Sequence, residues 1–146
     1  MKNTIKKALG VALVTGALVG GIGNTASAAN TTDKPYYFYF TADYQEQYTE
    51  ARTKYDYTSA YMKLNTIGDG DATYEAEVVD SNGRSFSKRW TYWFNEYTAG
   101  KGTYLQNYAG EDRGTPVNVK IKGVRQYQPA DASKWGAEGV WSPDSI

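Results

Sequence analysis

The chain contains no cysteine and no histidine among its 146 residues, and only four prolines and two methionines. The missing thiols exclude disulfides, thiolate metal sites, thiol nucleophiles and redox motifs. The missing imidazoles exclude a Ser-His-Asp triad, His-ligated metals and any side chain that titrates near neutrality without perturbation. A domain of this size without cross-links through cysteine must hold together by packing. Long apolar runs are also scarce. The one present, ALGVALVTGALVGGIG at residues 8–23, is shorter than the roughly 20 residues a span requires.

That run follows Lys2, Lys6 and Lys7 and precedes Ala26-Ser27-Ala28. A basic start, a short apolar stretch and small residues before a cut are the marks of a secretory signal peptide. Residues 1–28 are therefore expected to be removed, leaving an extracellular product with no transmembrane segment. Loss of those three lysines from a chain balanced at 16 basic and 16 acidic residues leaves acid in excess. Phosphate backbones demand clustered positive charge, so nucleic acid is not an expected partner.

What is abundant is aromatic. The chain carries 14 Tyr, 4 Trp and 4 Phe, all beyond residue 28. Tyrosine suits sheet surfaces, where the ring packs and the hydroxyl stays wet. After a polar leader at 29–35, short alternating runs follow. YYFYF (36–40) places Tyr36, Phe38 and Phe40 on one face and Tyr37 and Tyr39 on the other. SAYMKLNT (59–66) sets Ala60, Met62 and Leu64 against Tyr61, Lys63 and Asn65. ATYEAEVV (72–79) sets Tyr74, Ala76 and Val78 against Glu75 and Glu77. PVNVKIKGV (116–124) turns Val117, Val119 and Ile121 inward. SFSKRWTYWF (85–94), TYLQNYA (103–109) and GAEGVW (136–141) complete the set. Such spacing predicts an all-β domain over 36–146, an antiparallel β-sandwich of about seven short strands, with jelly-roll and immunoglobulin-like topologies both open. TADYQEQYTEARTKYDY (41–57) has Tyr44, Tyr48, Ala51 and Tyr55 at helical spacing and reads as a loop with at most one or two helical turns.

The turn DSNGR (80–84) sets a hairpin register. A Ser81-Asn82-Gly83 loop with Gly83 left-handed pairs Val78 with Phe86, Tyr74 with Trp90 and Ala72 with Tyr92, and brings Glu75 to Arg89. Trp90, Tyr92 and Phe94 then point inward and Trp93 outward, with Tyr97 joining it if the strand runs on. Trp93, Tyr97, Tyr37, Tyr39 and Tyr61 are the candidate ligand-binding rings, since exposed aromatics commonly mark binding sites. Asp69 and Asp71 offer a weak calcium motif without the distal bidentate Glu, so neither a metal nor any other cofactor is expected. Glu75 and Glu77 have a spacing open to glycosidase carboxylates, about 6.6–7 Å along a strand, but alternate charges on a solvated strand look the same.

YYFYF, YTEAR, GDGDATYEAEVV, GKGTYLQNYAG and GVWSPD together resemble a family of small secreted proteins of Gram-positive bacteria with no assigned function. The likeness spans most of residues 36–144 and implies no catalytic residues. In size, secretion and β-character the chain is also similar, by type alone, to the cysteine-free lactococcin-972-type bacteriocins. The expected role is a secreted, non-enzymatic binding protein whose partner is a cell-envelope glycan or protein. A bacteriocin-like effector and a matrix or spore-associated structural protein are the alternatives.

Overall fold

Residues 34–40 form the first strand because their alternation buries Tyr36, Phe38 and Phe40 and leaves Tyr37 and Tyr39 in solvent. The computed structural model describes residues 28–68, 70–127 and 134–146. Residues 1–27 of the expected signal peptide (1–28) and Asp69 lie outside the described residues. Among them are nine strands: β1 (Lys34–Phe40), β2 (Glu46–Tyr48), β3 (Arg52–Lys54), β4 (Ala60–Ile67), β5 (Tyr74–Asp80), β6 (Tyr92–Phe94), β7 (Gly102–Leu105), β8 (Val117–Arg125) and β9 (Trp135–Ser142). A 3-10 turn (Glu96–Thr98) and the short helix α1 (Ala109–Arg113) complete the elements.

The strands make two antiparallel sheets. The first runs β1-β9-β4-β7, and the second runs β2-β8-β5-β6 with β3 also on β8. Between them lies an aromatic-rich core of Tyr36, Phe38, Phe40, Met62, Leu64, Tyr74, Phe94, Ile121, Trp135 and Trp141. Tyr74 joins the layers, stacking on Phe94 at 5.3 Å and meeting Phe38 edge-on at 5.7 Å. The all-β sandwich expected from the alternation is borne out, with two strands more than expected.

Both extra strands lie in 41–57, where the helical spacing misled. β2 and β3 are one edge strand along β8, interrupted at 49–51. Glu46 pairs with Val124 but Arg52 with Val119, so one residue is inserted. The Thr49 hydroxyl accepts from the Ile121 amide across that irregularity. Tyr44 and Tyr48 lie exposed and do not pack as a stripe, while β8 supplies partners for the backbone.

The hairpin is also corrected. Near the turn the expected register holds, with Val79 bridging Ser85 and Gly83 at φ +80. Asp80 closes the loop, accepting from the amides of Asn82 and Arg84. Beyond it the pairing has slipped by four residues: Tyr74 faces Phe94, Glu75 faces Trp93 and Ala76 faces Tyr92. Residues 86–91 leave the sheet because other partners take them. Asp112 accepts from both the amide and the hydroxyl of Ser87 at 2.6 Å, which holds its carboxyl below the ordinary range. Lys88 lies over the Tyr108 ring at 4.5 Å and Trp90 packs on the same ring at 6.0 Å. Trp90 is therefore half-buried on Tyr108 and not an inward strand residue. Arg89 meets Glu77, not Glu75, at 2.9 Å.

Candidate functional site

The outer face of the four-stranded sheet carries Tyr37 and Tyr39 from β1, Tyr61 from β4 and Tyr104 from β7. Tyr37 and Tyr39 stack with centroids 6.4 Å apart and planes 16° apart. Tyr61 and Tyr104 face each other across paired strands at 5.7 Å. The two pairs are two strands apart and four β9 residues apart, because Tyr37 lies opposite Glu138 and Tyr61 opposite Ser142. Strand spacing and rise set the diagonal at roughly 16 Å. Lys63, Val140 and Glu138 occupy the sheet between them, Glu138 taking a hydrogen bond from Thr66 at 3.0 Å.

Glycines in neighbouring strands let these rings lie low on the sheet. A Cβ at Gly136 would fall 2.7 Å from the Tyr37 hydroxyl, and one at Gly102 would fall 2.6 Å from the Tyr61 ring. Tyr37 is 63% exposed and Tyr104 57%, so each pair presents a ring face to solvent. At the Tyr61 end the face opens into a cleft of about 280 Å³ lined by Thr31, Asp33, Tyr61, Tyr104 and Ser142. Burial, the Asp33 charge and the Tyr104 phenol push the Tyr61 hydroxyl above its ordinary value, so it stays a neutral donor and acceptor.

A second, larger cleft of about 680 Å³ lies beside β1, between the edges of the two sheets. It is lined by Tyr36, Tyr37, Tyr48, Glu50, Arg52 and Trp141. Arg52 is committed there: it donates to the carbonyls of Trp141 and Thr32 and to Asn30, and its guanidinium lies 5.2 Å from the Trp141 ring centroid.

Of the five expected rings, three share the tyrosine face and two do not. Trp93 is outward and half-exposed, but it belongs to β6 in the other sheet. Tyr97 does not continue that strand. Asn95 stops it by capping the 3-10 turn, accepting from the Tyr97 amide while its own amide donates to Thr98. The Asn95-x-x-Thr98 spacing was the available signal. Tyr104 was missed, since the weak alternation of 103–109 did not sort its faces. Asp71 lies exposed in the turn before β5, and among the described residues no group of three acidic side chains is placed to hold a metal. Nor is any helix among them long and apolar enough to cross a membrane.

Fold and surface together define a cysteine-free antiparallel β-sandwich with one tyrosine-lined sheet face. Residues 24–145 match a family described as protein of unknown function (DUF2712), and the chain belongs to that family. The resemblance to a family without assigned function thus holds. No curated protein and no solved structure matches the chain.

Proposed function

We propose that this is a secreted, non-enzymatic module that binds a glycan at or outside the envelope of a Gram-positive bacterium. The glycan lies along the outer face of the four-stranded sheet. The observation that carries this reading is the disposition of Tyr37, Tyr39, Tyr61 and Tyr104 as two ring pairs on one solvent-facing sheet. Flat rings suit the apolar faces of sugars, and the Asp33, Thr31 and Ser142 oxygens at the Tyr61 cleft suit their hydroxyls. The separation of the pairs matches an extended chain rather than a single ring. The basic start and the Ala26-Ser27-Ala28 stretch support secretion.

Binding to purified cell-wall polysaccharide and to soluble oligosaccharides tests this. Tyr104→Ala and Tyr37→Ala each weaken binding about fivefold, the worth of an aromatic contact of ~1 kcal/mol, without lowering the melting temperature appreciably. Trp93→Ala, on the opposite sheet, leaves glycan binding unchanged. Equal weakening by Trp93→Ala, or capture of an envelope protein with no glycan retained, removes the assignment. No feature of the fold favours the growth-inhibitor or matrix alternative over this one.

A further inference from the structure

At one rim of the sandwich Lys54 ends β3 in the second sheet, and Asp144 follows β9 of the first by two residues. Both side chains are fully buried, with Lys54 Nζ 3.0 Å from Asp144 Oδ1. Asp144 Oδ2 accepts from two backbone amides, those of Asn30 at 2.6 Å and Tyr55 at 3.0 Å. A second carboxylate, Asp56 Oδ1, lies 3.5 Å from the same Nζ. A buried ion pair calls for hydrogen bonds to its remaining lone pairs, and Asp56 Oδ1 also accepts from the Thr58 amide and hydroxyl. The same groups meet what a condensation needs: a site for an oxyanion and a carrier for a proton.

We infer that Lys54 and Asp144 join through an intramolecular isopeptide bond, with Asp56 as the proton shuttle. One proton passes from the ammonium to Asp144 Oδ1, giving a neutral amine beside a neutral acid. Nζ attacks Cγ, and Oδ2 becomes an oxyanion held by the Asn30 and Tyr55 amides. Asp56 takes a second proton from Nζ and delivers it to the Oδ1 hydroxyl. That oxygen leaves as water, the carbonyl re-forms, and no oxidant or external reactant is consumed. The one hydrogen left on Nζ has an acceptor in place, since Nζ already donates to the Pro143 carbonyl at 2.8 Å. The product replaces two buried charges by a neutral amide, which removes their desolvation cost.

Burial pushes the Asp144 carboxyl up, but the Asn30 and Tyr55 amides and the Lys54 ammonium outweigh it and leave it below its ordinary value. The same amides that hold the carboxylate ionised hold the oxyanion, so the reaction is slow to start and assisted once begun. The other buried pair, Lys122 and Glu77 at 3.1 Å, lacks this arrangement. Glu77 Oε2 also takes Arg89, and nothing among the described residues donates to its Oε1. One water is lost from the chain, not two.

Intact-mass measurement of the purified, folded protein tests the proposal. The wild type is lighter than its own unmodified chain by one water, and proteolysis yields a branched peptide joining Lys54 to Asp144. Lys54→Arg keeps the ion pair, cannot form the amide and has full mass. Asp56→Asn lowers the fraction joined at a given time after synthesis, with a rate reduced about a hundredfold or more. Should Lys54→Arg fail to fold, the branched peptide from the wild type decides. A wild type of full mass after prolonged incubation overturns the proposal, as does a water loss that persists in Lys54→Arg or maps elsewhere.

Discussion

Glu77 is a carboxylate buried to 3% exposure, and its surroundings determine what its removal costs. Lys122, directly opposite on β8 and itself largely buried, approaches to 3.1 Å, while the half-exposed Arg89 reaches 2.9 Å from the loop. Removing one member of a buried pair strands the other, so Glu77→Ala destabilises by about 3–5 kcal/mol. Replacing both by apolar residues, as in Glu77→Leu with Lys122→Met, brings the loss close to zero. Arg89→Ala costs about 1 kcal/mol or less, because its solvent-facing charge is already screened. Urea unfolding of the three variants checks the order; a double variant that loses as much stability as Glu77→Ala contradicts it. Here alternation left one fact unread. The sequence placed Glu77 on an outward face, which it occupies, but outward is not exposed once Arg89 and Lys122 close on its carboxylate. Tyr37, Tyr39 and Tyr61 were legible because β1 and β4 alternate strictly. Lys54 and Asp144 were not, being 90 residues apart with no local pattern linking them.

At the scale of elements, β9 tolerates little change. It lies between β1 and β4, so both its backbone edges are paired. Gly139 faces the core there, and a Cβ at that position would come 2.0 Å from the Lys63 carbonyl oxygen and 2.8 Å from the Tyr36 ring. The ring can yield, but the paired backbone of β4 cannot without breaking the sheet. Gly139→Ala is therefore expected to destabilise by roughly 3 kcal/mol or more. Gly100→Ala, with nothing near its Cβ and only a φ of +79 to strain, costs about 1 kcal/mol. A melting temperature for Gly139→Ala equal to that of Gly100→Ala would show that β9 can shift. The strands themselves were legible wherever one face is buried and the other wet. Register was not: Gly83 set the first pair of the hairpin correctly, yet Asp112 of α1, close in space but 25 residues along the chain from Ser87, drew Ser87 and its neighbours away. Sheet membership was equally hidden, since a period of two marks Trp93 and Tyr61 alike as outward and says nothing about which sheet each belongs to.

For the molecule as a whole, the absence of histidine and cysteine clears the middle of the pH range, and tyrosine then sets the alkaline limit. Tyr36 and Tyr74, one from each sheet, share a hydrogen bond of 2.9 Å inside the core. Burial pushes both hydroxyls well above their ordinary value of 10.0. In the unfolded chain they release protons near 10.0, whereas the folded chain retains them. The folded state thus binds more protons above that point, and stability falls as pH rises from there toward the folded values. The melting temperature is expected to stay level up to about pH 9 and to drop beyond pH 10. Tyr36→Phe alone leaves the Tyr74 hydroxyl buried without its partner and costs about 1–3 kcal/mol at neutral pH. Tyr36→Phe with Tyr74→Phe removes both hydroxyls together, recovers most of that loss and flattens the alkaline decline. Tyr48, held up to about 12 by its hydrogen bond to Glu46, and Tyr61 keep a residual slope in the double variant. Thermal unfolding followed by near-ultraviolet circular dichroism across the alkaline range separates these contributions. If the double variant declines above pH 10 as steeply as the wild type, the phenol pair that bridges the sheets is not what limits the fold there.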